Sequence, residues 1–251
     1  ARAGAEGSGV VRTELVFGAR AQAPSAEEQA EVYLEMGRTL GGPLTIRTWD
    51  AGGDKPLAYL PLLAEPNPAL GERGIRLMLR ARDAFADQLR GIALAARHTP
   101  VRVMFPMVTH PGEVAWARRV LDDVLAEVGP VELPVGIMVE VPAAALRAAD
   151  FAGLIDFASV GTNDLAQYAL AADRTNAAVT PLAPLDDPAV WDLVALPCRA
   201  LPGIPVAVCG NLASDPSATG RLVALGVSEL SVRPPMVAQV KQAVREARGP
   251  A

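Results

Sequence analysis

Aromatic residues are scarce in this chain, with five Phe, three Tyr and three Trp among 251 residues, so its interior has to be built mostly from Ala, Leu and Val. Cysteine is scarcer still: Cys198 and Cys209 alone exclude a disulfide framework. His98 and His110 are the only histidines, and neither falls in a strand-end motif, which leaves no good imidazole for chemistry at the ends of the strands. No apolar stretch reaches the ~18 residues needed to span a bilayer, and no basic segment followed by an apolar run marks a secretory leader. A basic excess is missing too. Lys and Arg number 23 against 28 Asp and Glu, for a net charge of −5 and a pI near 5.2, which argues against nucleic acid as a partner. From these absences we expect a cytoplasmic protein with no membrane insertion.

What is present is a regular alternation. Hydrophobic residues make up 51% of the chain, and its length suits one large core, as in α/β barrels that run near this size as a single domain. We therefore read residues 1–251 as one domain. Short apolar runs predict strands at Val10–Phe17, Leu44–Trp49, Val101–Val108, Val135–Val139, Ile155–Val160, Ile204–Val208 and Glu229–Val232. Between them lie helix candidates at Glu27–Leu40, 74–97, Pro111–Glu127, Pro142–Ala149, Asp164–Ala172, Pro188–Leu196, Pro216–Leu225 and Pro234–Ala247. Strands alternating with helices of this length imply a parallel sheet with helical crossovers. A closed barrel of this class needs eight strands. The expectation is a (β/α)8 TIM barrel without its first strand and helix, in a fragment of a longer polypeptide.

Apolar runs buried on both faces leave their ends for chemistry. Glu140 follows the run Val135–Val139, and Asn163 and Asp164 follow Ile155–Val160. Pro142 opens the helix between them, at a position where its missing N–H costs nothing. Two carboxylates at adjacent strand ends suit one hard divalent cation, because magnesium takes one or two protein carboxylates and completes its shell with water and substrate oxygens. Taken singly, each acid is equally a solvated loop residue or a helix cap. Arg12, Arg47, Arg73 and Arg174 belong to the same set of strand-end segments. Guanidinium groups bind phosphate oxygens bidentately, so the set points to a small phosphorylated substrate. Cys209 ends the run IPVAVCG, where nearby positive charge would lower a thiol pKa; Cys198, inside a helical stretch, reads as structural. Lys55, in the GGDK turn, lacks the spacing of a P-loop and is a weak contact candidate.

The segments VVRTELVF, IRTWDAGGDKPLAYL, NPALGERGIRLML, VRVMFPMV, VGIMVEVPAAA, FASVGTNDLAQYALAADRTN, AVCGNLASDP and LGVSELSVRPP carry a resemblance. Together and in this order they resemble the phosphoenolpyruvate-binding C-terminal domain of enzyme I of the bacterial sugar phosphotransferase system, within the wider phosphoenolpyruvate-utilising superfamily. The resemblance implies that Arg12, Arg47, Arg73 and Arg174 hold the phosphoryl group, with Asn163 helping to place the substrate. It also implies that Glu140 and Asp164 bind Mg2+, or Mn2+, and that Cys209 is the acid that protonates the enolate to give pyruvate. In the family the accepting histidine sits on a separate phosphohistidine domain, which passes the phosphoryl group to the carrier protein HPr, and the barrel domain forms homodimers.

Two departures from the family pattern stand out. Asn211 takes the place of a glutamate that usually follows the Cys-Gly pair, and the strand and helix that precede GAEGSGVVRTEL in the family do not occur here. Asn211 supports a second reading, a phosphoenolpyruvate-sensing module without turnover. A third, a pyruvate phosphate dikinase or phosphoenolpyruvate synthase-like enzyme, would require a nucleotide-binding domain elsewhere in the parent polypeptide.

Overall fold

A computed structural model of the chain describes residues 1–52, 57–60 and 62–248. Lys55 lies outside the described residues. Seven strands, β1 (Ser8–Arg12), β2 (Leu44–Arg47), β3 (Val101–Phe105), β4 (Val135–Val139), β5 (Phe157–Gly161), β6 (Val206–Cys209) and β7 (Glu229–Leu230), follow one another in a single sheet in chain order. The neighbours β1–β2, β2–β3, β5–β6 and β6–β7 are parallel. The helices are α1 (Thr13–Phe17), α2 (Ala26–Leu40), α3 (Ile75–Arg80), α4 (Arg82–Ala96), α5 (Pro111–Val128), α6 (Pro142–Leu146), α7 (Thr162–Ala169), α8 (Pro188–Ala200), α9 (Pro216–Ala224) and α10 (Val237–Arg248). This is an α/β barrel of the TIM class, with the seven strands that the sequence pattern predicts. Among the described residues no helix is long and apolar enough to cross a membrane.

Besides smaller shifts at several element ends, such as β3 stopping at Phe105 and α7 spanning Thr162–Ala169, four assignments differ from the sequence pattern. Residues Thr13–Phe17 form α1 rather than the second half of a strand. The apolar segment stops being extended at Thr13, whose hydroxyl turns inward to donate to the Arg47 carbonyl at 3.0 Å. The helix expected over 74–97 is two helices broken at Ala81, where φ −99 and ψ 49 leave the helical region. The helix from Pro142 ends at Leu146 and continues as a short 3-10 turn, Ala148–Phe151. Finally α8 runs through Pro197 to Ala200, past the predicted stop at Leu196. That proline lies in its last turn.

The chain divides into two compact units, the first comprising Ala1–Ala5, Val108–Pro111 and Ile137–Ala251 and the second Glu6–Met107 and Gly112–Gly136. In the first unit every residue of β5 and β6 is buried. Small and branched side chains such as Ala158, Val160, Val206 and Val208 fill these strands, as the scarcity of aromatics requires. Helices α9 and α10 pack together, and the Arg221 guanidinium lies 4.1 Å over the Trp191 ring to join α9 to α8.

The second unit uses the aromatics more heavily. Phe17 meets Tyr33 and Trp49 edge-on, at ring separations of 6.0 and 5.8 Å, while Phe85 stacks on Trp116 at 5.2 Å. Helix α2 packs on α4 and begins with a capping box: the Ser25 hydroxyl accepts the Glu28 N–H while the Glu28 carboxylate accepts the Ser25 N–H. Replacing Ser25 with Ala should cost about 1 kcal/mol of unfolding free energy, read from denaturant titration. The Ser25 N–H, with help from Arg20, holds the Glu28 carboxyl below its usual range. Its contribution is therefore present above the unfolded-state pKa and is lost as pH falls through the folded value. The stability difference between the wild type and Glu28→Gln should accordingly shrink on acidification; a difference that grows toward low pH would contradict the assignment.

Candidate active site

In the second unit Arg12 and Arg47 are the last residues of β1 and β2 and stand opposite one another in the parallel register. Because α1 begins at Thr13, Glu14 lies in its first turn, two residues beyond the strand. Its Oε1 accepts from Arg12 Nε at 3.1 Å and from Arg47 Nη2 at 2.6 Å. Arg47 Nη2 also reaches Asp50 Oδ2 at 3.1 Å. Asp50 in turn accepts from Arg73, with Nη2 at 3.1 and 3.0 Å from its two oxygens. The result is an alternating series, Arg12, Glu14, Arg47, Asp50, Arg73, in which guanidiniums outnumber carboxylates. Asp50 is 0% exposed, Arg73 2% and Arg47 5%, whereas the Arg12 side chain is 45% exposed. Gln88, fully buried on α4, ties the two strand ends together by donating to the Thr13 hydroxyl at 3.2 Å and accepting the Trp49 N–H at 2.9 Å.

The first unit carries the acids and the thiol. Glu140 directly follows β4 and is buried. Its side chain lies across the end of β5, where a Cβ on Gly161 would sit 2.9 Å from Glu140 Cβ and 3.0 Å from Oε2. Any larger residue at 161 would displace the carboxylate. Asp164, also buried, is the third residue of α7, and its Oδ1 is 3.6 Å from Arg174 Nη2. The Arg174 N–H donates to Gln167 Oε1 at 3.0 Å, which anchors the arginine's backbone to α7. Cys209 ends β6 opposite Gly161. The turn that follows is held from α7: the Thr162 hydroxyl donates to the Cys209 carbonyl at 2.8 Å, and Asn163 Oδ1 accepts the Asn211 N–H at 3.0 Å. A backbone N–H can only donate, so the amide oxygen of Asn163 must face it, which leaves the NH2 as the end able to donate elsewhere.

Arg12, Arg47 and Arg73 are thus linked through shared carboxylates in one unit; in the other, Glu140 and Cys209 stand at strand ends, Asn163 and Asp164 in the first turn of α7, and Arg174 in the loop beyond α7. Cys198 lies on α8 with Sγ 3.5 Å from the Val194 carbonyl, and burial pushes its thiol pKa up, as befits a packed cysteine. The sequence pattern does not single out Glu14, Asp50, Thr162 or Gln167: the segment around Glu14 reads as strand, and Asp50 is marked by its contact with Arg73, 23 positions away.

A model of the family described as "PEP-utilising enzyme, PEP-binding domain" matches residues 1–248. The chain belongs to this family. Among curated relatives, the multiphosphoryl transfer protein of Rhodobacter capsulatus is 45% identical over 246 residues, covering 97% of this chain and 30% of that protein. The phosphoenolpyruvate-protein phosphotransferase of Haloferax volcanii is 44% identical over 255 residues, 97% of this chain and 45% of that protein. The chain therefore spans less than half the length of either relative. The solved structure titled Haloferax volcanii malate synthase magnesium/glyoxylate complex superimposes with a TM-score of 0.58 at 15% identity, over 87% of this chain and 60% of that one. At that identity the likeness is one of fold alone.

Removing one member of a buried ion pair strands its partner. Asp50→Ala should therefore cost about 3–5 kcal/mol in denaturant-monitored unfolding. Arg12→Ala, at the half-exposed end of the series, should cost no more than about 1 kcal/mol. Equal losses for the two variants would show that burial does not set the energetics of this series.

Proposed function

We propose that the chain binds phosphoenolpyruvate together with Mg2+ and gives up its phosphoryl group to a histidine on a separate domain, releasing pyruvate. The observation that carries this reading is the burial of Arg47, the last residue of β2, and of Arg73 in fixed orientations around Asp50, at the end of a strand, where this class of fold keeps its active sites. Phosphoryl transfer is catalysed chiefly by positioning and by countering charge on the transferring oxygens, and preset guanidiniums serve both ends. Family membership and the names of the relatives support the substrate. The downstream carrier HPr, a role in sugar uptake, homodimerisation and a cytoplasmic location belong to the same proposal.

Glu140 and Asp164 fit a magnesium ion by their chemistry: both are buried carboxylates, hard oxygen donors carried by one unit. Among the described residues no group of three or more His, Cys, Asp or Glu is arranged to hold a metal, so a two-carboxylate site would leave positions for water and substrate oxygens, the usual condition for Mg2+. Bound there, the ion would neutralise charge on the phosphoryl and enolate oxygens. Arg174 would add its guanidinium to the phosphoryl group beside Asp164. The Asn163 NH2 would orient the substrate, and Cys209 would protonate the enolate carbon as a positioned acid.

A sensing module without turnover is the second reading, favoured by Asn211 where the family usually has glutamate. Titration calorimetry tests the shared premise. Phosphoenolpyruvate should bind only when Mg2+ or Mn2+ is added, Asp164→Ala should remove the metal dependence, and Arg174→Ala should weaken binding by about 2–5 kcal/mol. Arg174 is the cleaner probe because it is not part of the buried series that Arg47 supports. Identical affinity with and without metal would sink the assignment. Pyruvate release after addition of a phosphohistidine domain then separates enzyme from sensor.

A further inference from the structure

The turn Cys209–Gly210–Asn211 is pinned at both ends by two consecutive residues of α7. Thr162, 0% exposed, holds the Cys209 carbonyl, and Asn163 holds the Asn211 N–H. Between them Gly210 sits at φ +91, a left-handed conformation that glycine adopts freely, and a Cβ there would come within 2.5 Å of Thr162 Oγ1 and 3.0 Å of Asn163 Oδ1. The peptide planes on either side of Gly210 therefore cannot rotate while the two bonds last. Cys209 Cα is a corner of the first plane, so the bond to the Cys209 carbonyl holds the backbone that carries the thiol, and opening the turn there would let that backbone, and Sγ with it, shift. The same helix carries Asp164, one turn position further on.

We propose that Thr162 is a positioning residue for the Cys209 thiol, its hydroxyl clamping the turn so that Sγ keeps a fixed place relative to Asp164. Its catalytic consequence rests on the transfer reaction proposed above; the clamp itself does not. In that reaction the P–O bond breaks, the phosphoryl group passes to an imidazole nitrogen, and the bonding pair stays on the enol oxygen as the pyruvate enolate. The enolate carbon then takes the thiol proton, forming a C–H bond and leaving a thiolate that is reprotonated by solvent. Only this second step depends on where Sγ sits. An acid misplaced by about 1 Å can lose on the order of 100-fold in rate, so the clamp would act on protonation and spare the phosphoryl transfer.

The first test needs no substrate. In a Cys198→Ser background, Cys209 is the only thiol, and its alkylation by iodoacetamide reports how often the turn opens. Thr162→Val keeps the shape but removes the donor; losing one such hydrogen bond should speed alkylation by about fivefold, with Thr162→Ser restoring the wild-type rate. An unchanged rate in folded Thr162→Val would overturn the proposal. Should that variant fail to fold, Gly210→Ala decides instead: faster alkylation supports the clamp, and the wild-type rate refutes it. The second test supplies a phosphohistidine domain and follows the two steps separately. Thr162→Val should slow pyruvate formation by about tenfold or more while histidine phosphorylation stays near the wild-type rate, and equal slowing of both would refute a role directed at the thiol. If wild-type chain shows no phosphoenolpyruvate binding by calorimetry yet Thr162→Val still alters alkylation, the proposed function fails and the clamp stands.

Discussion

A parallel strand buried on both faces can carry polar chemistry only at its ends, and the organisation of this chain follows from that constraint. The interiors of β5 and β6 are closed to charge. The arginines, carboxylates and thiol considered for catalysis lie on the last residue of a strand or in the turns, helices and loops that lead on from it. The position is costly, because those residues are themselves largely out of water. Each needs partners that repay its desolvation, and the two units meet the demand differently.

In the second unit the solution is alternation. Glu14 and Asp50 each hold two arginines, so each carboxylate compensates more than one guanidinium. Such a series trades stability for geometry: buried pairs contribute little net free energy compared with apolar replacements, but they orient donors before a ligand arrives. In the first unit Asp164 is paired with Arg174. Glu140 rests over a glycine, and α7 reaches across to the turn after β6 through two side chains. Those two bonds fix the turn without adding a buried charge.

The architecture was legible because its signal is periodic. Apolar runs alternating with Ala-rich helices specify the parallel α/β class, and β4 has the predicted limits, Val135–Val139. The candidate site residues stand out as polar groups at the ends of apolar runs, and the roles proposed for them rest on motif resemblance. Periodicity did not reveal their partners. Thr13–Phe17 continues the apolar pattern of β1, so nothing local announces that the chain turns helical at Thr13; the decision is made by a hydrogen bond to Arg47, 34 positions away in sequence. Glu14 was lost with that turn. Asp50 and Thr162 are likewise defined by contacts with groups distant in sequence, Arg73 and the Cys209 carbonyl, which no window along the chain contains.

The bond between Asn163 and residue 211 is made through the backbone N–H of the latter, and the Asn211 side chain is not used to shape the turn. Any amino acid except proline would offer the same N–H. Geometry and charge are thereby separable at this position: any substitution other than proline can change the charge carried there and still keep the bond that anchors the turn. A neutral asparagine in place of an acid would alter the one and leave the other intact.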